Sequence, residues 1–284
     1  MSWHIRTIHR VDNGSLGGLL WNGTRLLFSA VEASVIYAFD PTEDQVVVWR
    51  AYTNRSNAIA EDGRGAVFAG QEGARRVVRL LPDGSAVQTE TRLEGQLHNF
   101  PRHIAVDRAG SAWFSDCYHP QPASGPQIFP LLTHQSVLRL SSNDSKRWTL
   151  ARMTVDTSAP RGLAFSPTKD RLYLAEVDMA QSVSRLYAYT LADDKPVQKI
   201  HLADINGVAE GICVDDDNRA YVCVGGKAEG ECGTIQVFAC DGVSLSVHEL
   251  PVRTPFACAL GDADMKSLYI TSAEGVLLRA RASA

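Results

Sequence analysis

Apolar and polar residues alternate in short runs along almost the whole chain, and one arrangement of them recurs. In GLAFSPTKDRLYLAE, residues 162–176, an apolar run passes through a polar turn into a second apolar run. Its relatives are GLLWNGTRLLFSA (18–30), AIAEDGRGAVFAG (58–70), HIAVDRAGSAWFSD (103–116), GICVDDDNRAYVCV (211–224) and ACALGDADMKSLYITS (257–272). Each of the first five copies is followed by a more amphipathic pair, such as SVIYAFDP and then QVVVWRA. The period is two throughout, and no stretch carries the 3.6-residue period of a helix. Repeats of roughly 40 to 50 residues with four strands apiece predict a propeller. The chain therefore reads as all-β, a six-bladed β-propeller with four-stranded antiparallel blades, forming one domain over 1–284. The last copy is short, because only GVLLRARA (275–282) follows YITS. WHIRTIH (3–9) alternates and supplies the missing strand, which closes the ring and leaves no free sheet edge.

In such a ring the first strand of each blade lines the central channel, so one repeat position becomes a circle of side chains. The position just ahead of the GLAF-type strand holds Gly17, Asn57, Arg102, Arg161, Glu210 and Phe256. A second circle comes from the end of the paired strand: Ala30, Gly70, Asp116, Glu176, Val224 and Ser272. A lone charge at either position would be a solvated turn residue. Several converging on one concavity point to a ligand pocket, since buried charges need partners.

Composition narrows the function. The 284 residues carry a net charge of −4, with no block rich in lysine or arginine, which excludes a nucleic-acid or anionic-membrane surface. No apolar run is long enough to span a bilayer, and MSWHIRTIHR has no apolar h-region, so a cytoplasmic protein is expected. Six cysteines without a CxxC spacing read as reduced and structural. There is no HExxH, Walker loop, dinucleotide fingerprint or GxSxG elbow, and DDDN (215–218) lacks the spacing of a calcium loop. The expected partner is a small-molecule substrate, the expected state a monomer or weak homo-oligomer.

Six segments carry a more specific resemblance: LGGLLW (16–21), NAIAEDGRGAVFAG (57–70), EGARRVVRLLPDGS (72–85), HNFPRHIAVDRAGSAWFSD (98–116), PRGLAFSPTKDRLYLAE (160–176) and AEGICVDDDNRAYV (209–222). In order, spacing and turn chemistry the chain resembles the family of senescence marker protein, gluconolactonase and luciferin-regenerating enzyme. That resemblance implies a six-bladed propeller, lactonase activity and one divalent cation at the channel centre. The family's metal-site pattern is only partly present. Its Glu-Gly-Pro-Val-Trp glutamate falls on Gly17, its Pro-Asn-Gly asparagine on Arg161, and its Pro-Asp-Gly catalytic aspartate on Glu210, while the asparagine before blade three survives as Asn99. A hard cation wants several oxygen ligands, and a guanidinium beside its seat repels it. The expectation is a channel without metal or cofactor, in which Arg161 takes the cation's place and pairs with Glu210.

The resulting reading is a gluconolactonase-like hydrolase opening a small lactone or related cyclic ester. Arg161 stabilises the oxyanion and Glu210, or else His103, serves as the base, its pKa moved toward neutrality by burial. Arg161, Glu210, His103 and Asn99 form the expected catalytic set. Asn57, Arg102, Asp116, Tyr118, His119, Glu176 and Phe256 are expected around the substrate. The loop 118–135, with its four prolines, is expected to cover the pocket through Tyr118, Ile128 and Phe129, with Cys117 lining it. Three alternatives stay open: a metal-independent lyase, isomerase or cyclase; a metal-dependent lactonase with a rearranged ligand set; and a non-catalytic binding propeller.

Overall fold

Alternation with a period of two puts successive side chains on opposite faces of a strand, and a strand packed between two neighbours must be apolar on both. The computed structural model, which describes residues 3–119, 128–143, 147–178, 180–181 and 183–282, shows where those faces go. Six four-stranded antiparallel sheets surround one axis. Blade one comprises Leu16–Trp21, Leu26–Ala30, Val35–Asp40 and Gln45–Ala51. Blade two comprises Ser56–Glu61, Val67–Gln71, Arg76–Leu80 and Ala86–Gln88, and blade three Phe100–Val106, Ala112–Cys117, Ser136–Ser142 and Trp148–Arg152. Blade four is built from Pro160–Phe165, Arg171–Asp178, Val183–Ala192 and Lys195–Ile205, and blade five from Val208–Val214, Ala220–Gly225, Thr234–Phe238 and Ser244–Glu249. Blade six takes Pro255–Gly261, Ser267–Ser272 and Val276–Ala282 from the end of the chain, and its outermost strand, Trp3–Arg10, from the beginning. That strand pairs antiparallel from Trp3 opposite Ala282 to Arg10 opposite Val276. No helix among the described residues is long and apolar enough to cross a membrane.

The core is six interfaces rather than one centre. Phe68 packs with Phe114, Leu138 and Leu140 between blades two and three. Its neighbours Val67 and Ala69 point the other way, to Leu27 and Ile36 of blade one. Trp113, between Ala112 and Phe114, likewise turns to Leu163 and Leu172 of blade four. The set beginning with Leu16, Phe28 and Phe39 meets Tyr269 and Leu277 of blade six, so the ring closes through packing as well as through the N-terminal strand. The tight turns inside the blades hold themselves with acids. Asp107 accepts from the Ser111 amide and from Trp113 Nε1, and Asp215 from the Arg219 amide and the Tyr221 hydroxyl, which makes DDDN an inter-strand turn.

Candidate active site

Every innermost strand breaks register at the same place. Pairing jumps from Leu16 to Leu19, Ser56 to Ala58, Pro101 to Ile104, Pro160 to Leu163, Ala209 to Ile212 and Pro255 to Ala257. The skipped residues are the ring positions and, in four blades, the residue after each. A bulge re-aims a side chain out of the alternation, and here it turns polar groups toward the axis while the rest of each strand stays in the core. In blades one, four and five the residue after the ring position is a glycine that meets the next blade's backbone. A Cβ on Gly162 would lie 2.0 Å from the Glu210 carbonyl oxygen, and one on Gly211 2.7 Å from Ala257 Cα. Gly17 is also a steric requirement, because its Cβ would sit 2.7 Å from the Asn57 carbonyl oxygen and 2.8 Å from Ser29 Oγ.

Glu210 is paired, but with a different arginine from the one expected. Arg102 reaches across from blade three and donates from Nε to Glu210 Oε2 at 2.8 Å and from Nη2 to Oε1 at 2.7 Å. The bulge at blade three turns both Arg102 and His103 inward, so that strand delivers two groups to the axis. Phe256 supports them, with the Arg102 guanidinium 5.1 Å above its ring and the His103 ring stacked at 4.8 Å. His103 Nε2 stands 3.7 Å from Glu210 Oε2, close enough for charge to matter and too far for a hydrogen bond. Burial, the largest single influence, would raise the Glu210 pKa, but Arg102, His103 and Arg161 together outweigh it and hold the carboxyl well below the ordinary carboxylate range. The expected drift of Glu210 toward neutrality is therefore reversed. His103 moves down because of burial, with Arg102 and Arg161 adding to the effect and Glu210 opposing it. It is a neutral imidazole at pH 7.

Arg161 lies 7% exposed beside this pair without closing a bridge to it. Its Nε and Nη1 have no hydrogen-bond partner, and no carboxylate among the described residues comes within salt-bridge distance. Its charge acts on Glu210, on His103 and on Cys117. Cys117 Sγ donates to the Pro160 carbonyl at 2.6 Å, and burial pushes its thiol up despite the two arginines. It is a neutral wall of the channel, and not a nucleophile. Asn57 completes the ring, 7% exposed, its side-chain amide making no hydrogen bond among the described residues.

The remaining expected residues are committed elsewhere. Asn99 is fully buried, with Nδ2 on the His134 carbonyl at 2.9 Å and Oδ1 accepting from the Leu132 amide at 2.9 Å. It pins the loop after blade three's second strand. Asp116 accepts from the Asn99 amide at 2.8 Å and sits 3.0 Å from His98 Nδ1. Glu176 binds Lys199 at 2.5 Å, accepts from the Ser158 amide at 3.3 Å and faces a cleft of about 390 Å³ whose walls include none of Gly17, Asn57, Arg102, Arg161, Glu210 and Phe256. Glu32 on the Ser15 amide and Glu274 on the Thr254 amide repeat this arrangement in blades one and six. In four blades, then, an acid at or just beyond the second strand's end fastens the segment that enters the inner strand. Sequence reading assigned Asp116 and Glu176 to substrate because it did not see the amides they serve.

The 118–135 loop leaves from the face on which the inner strands start. Tyr118 donates its hydroxyl to the Leu132 carbonyl at 2.7 Å, and the His119 ring lies 5.6 Å from Phe100 and 3.8 Å from Glu72 Oε1. Arg75 donates to the Phe129 carbonyl at 3.0 Å and to that of Pro130, while Leu132 enters the core between blades two and three. Phe129 has Arg92 beside it at 5.8 Å, and Ile128 is exposed, so these two lie over that junction; residues 120–127 lie outside the described set. The pairing of Glu72 with Arg55, which adds a carboxylate acting on Arg102, was not foreseen, because neither residue sits at a ring position.

The donor set does not fit a hard divalent cation. The ring holds one carboxylate, both of whose oxygens are occupied by Arg102, and a second guanidinium acts on the same carboxylate. Among the described residues no cluster of three or more His, Cys, Asp or Glu side chains is arranged to hold a metal.

Comparison with known proteins places this channel in a family. The family model described as SMP-30/Gluconolactonase/LRE-like region matches residues 17–274. Pentonolactonase XacC of Haloferax volcanii is 25% identical over 95% of this chain and 86% of its own length. The 6-deoxy-6-sulfogluconolactonase of Pseudomonas putida is 29% identical over 59% of this chain and 52% of its own. The solved structure of XC5397 from Xanthomonas campestris, described as a gluconolactonase, superposes with a TM-score of 0.84 at 25% identity, covering 98% of this chain and 89% of the other.

Proposed function

The chain belongs to the SMP-30/gluconolactonase/LRE-like family, and from that membership we propose that it hydrolyses a small lactone in its central channel without a divalent metal. The observation that carries this reading is a buried guanidinium with two partnerless nitrogens next to a neutral imidazole. Arg161 binds the lactone carbonyl oxygen. His103 takes a proton from a water as its oxygen attacks the carbonyl carbon. The negative charge that develops on the carbonyl oxygen meets Arg161, which is what a metal would otherwise provide; one such donor contributes about 10²- to 10³-fold in rate. The tetrahedral intermediate collapses with cleavage of the ring C–O bond. The His103 imidazolium, stabilised by Glu210 at 3.7 Å, returns its proton to the leaving ring oxygen. Glu210 itself is a poor base, since Arg102 holds it ionised, and its part is to fix Arg102 and steady the imidazolium.

The test is hydrolysis of a panel of aldonolactones by protein extensively treated with EDTA, in metal-free buffer, alongside the His103→Gln and Arg161→Gln variants. Undiminished activity after chelation, and a loss of roughly 10²-fold or more in each variant, are expected. Activity that vanishes with EDTA and returns with a divalent ion would overturn the metal-free reading. Turnover without incorporation of labelled water oxygen would overturn hydrolysis.

A further inference from the structure

Charge accounting in the channel leaves one cation over. Arg102 and Glu210 neutralise each other through two hydrogen bonds, His103 is neutral, and Cys117 is a thiol. The other carboxylates acting on this region are occupied: Glu72 by Arg55, Asp116 by His98 and the Asn99 amide, Glu176 by Lys199. Arg161, more than nine-tenths buried, keeps Nε and Nη1 unpartnered. A buried charge without a counter-ion is costly, and a guanidinium is shaped for carboxylate oxygens.

We infer that the channel is a carboxylate-binding site whose best ground-state ligand is an open-chain hydroxy acid, with the carboxylate on Arg161 and its hydroxyls toward Asn57. This deepens the lactonase reading and rests on its placing of Arg161 at the reacting carbonyl. Hydrolysis of a neutral lactone converts the carbonyl oxygen that Arg161 holds into one oxygen of a carboxylate, and the product acid gives up its proton to solvent at neutral pH. The channel thus goes from one net positive charge with substrate bound to none with product bound. Product binds more tightly than substrate, its release limits turnover, and accumulated hydroxy acid slows the enzyme.

Isothermal titration calorimetry on the full chain with D-gluconate, with glycolate as the smallest hydroxycarboxylate, and with sorbitol as a neutral polyol tests this. Gluconate is expected to bind about tenfold or more tightly than sorbitol, as a charge-assisted contact implies. It should also inhibit lactone hydrolysis competitively with a Ki below the KM. Arg161→Gln should lose the preference for the acids without a fall in Tm, since it removes an unpaired buried charge. If neither acid outbinds sorbitol, or Arg161→Gln retains the preference, the inference fails. A clear fall in Tm of Arg161→Gln would also overturn it, by revealing a structural counter-ion. Gluconate bound through Arg161 by a protein that opens no lactone would keep this inference and refute the lactonase reading instead.

Discussion

Neutralising the three charged ring residues one at a time should have unequal effects, in an order set by the charge balance. Glu210→Gln leaves Arg161, buried, and Arg102, 20% exposed, with no carboxylate on the ring. Removing one partner of a buried ion pair costs about 3–5 kcal/mol, and the upper part of that range applies here because two like charges are stranded. Arg102→Gln leaves Glu210 facing Arg161, whose charge already acts on it, so a substitute counter-charge is at hand. Its cost should be about half as large, on the order of 2 kcal/mol. Arg161→Gln breaks no ion pair and should be neutral or slightly stabilising. For a chain of this size about 2 °C of Tm accompanies each kcal/mol, so the expected changes are roughly −8 to −10 °C, −4 °C and zero or above. Urea denaturation followed by circular dichroism at pH 7, with all three variants and the Arg102→Gln/Glu210→Gln double, measures the order directly. The double should be no less stable than Glu210→Gln alone, because it removes one of the stranded cations. If Arg102→Gln proved as damaging as Glu210→Gln, Arg161 would be unable to reach Glu210 and the account of a channel with one surplus cation would be wrong.

Deleting residues 1–10 removes the outermost strand of blade six and exposes the edge of Val276–Ala282. Aggregation or a large drop in melting temperature is expected, and a truncated protein melting like the full-length one would disprove closure by that strand. Gly162→Ala drives a methyl into the Glu210 carbonyl, whereas Gly230→Ala meets nothing within 4 Å and strains only its own backbone at φ +81°. The first should abolish soluble expression or lower stability by about 3 kcal/mol or more, the second by about 1 kcal/mol; equal effects would count against the close approach of blades four and five. With His103 as the proposed base, the pH profile of kcat/KM should show an acid limb below 6.5, because burial lowers its pKa, so activity is full at neutral pH and falls as protonation sets in. An acid limb above 6.5, or one unchanged in His103→Gln, would remove His103 from the mechanism.

The number of blades, their four strands, the closing N-terminal strand and the ring of inward positions were all legible in the residues. Each depends on local alternation repeated at fixed spacing. A strand flanked by two blades must be apolar on both faces, and a polar residue interrupting that run in register in four of the six blades must point somewhere common. Other features were decided only by the tertiary structure. Arg102 and Arg161 occupy the same position in adjacent blades, and nothing in their neighbours says which reaches Glu210, 108 residues on from Arg102. The bulges, the approach of Arg102 and His103 to Phe256, and the distance across the channel made that choice. Asp116 and Glu176 looked like pocket acids because their sequence neighbours offer no visible partner. Each is held by a backbone amide of the segment entering the inner strand and by one side chain distant in sequence, His98 for Asp116 and Lys199 for Glu176, and neither kind of partner is signalled by the residues beside the acid. Gly17 looked like a lost ligand, yet the Asn57 carbonyl 2.7 Å from where its Cβ would stand shows a position closed by packing. Repetition is written along the chain, whereas the pairing of charges around a ring depends on which groups the closed ring brings within reach of one another.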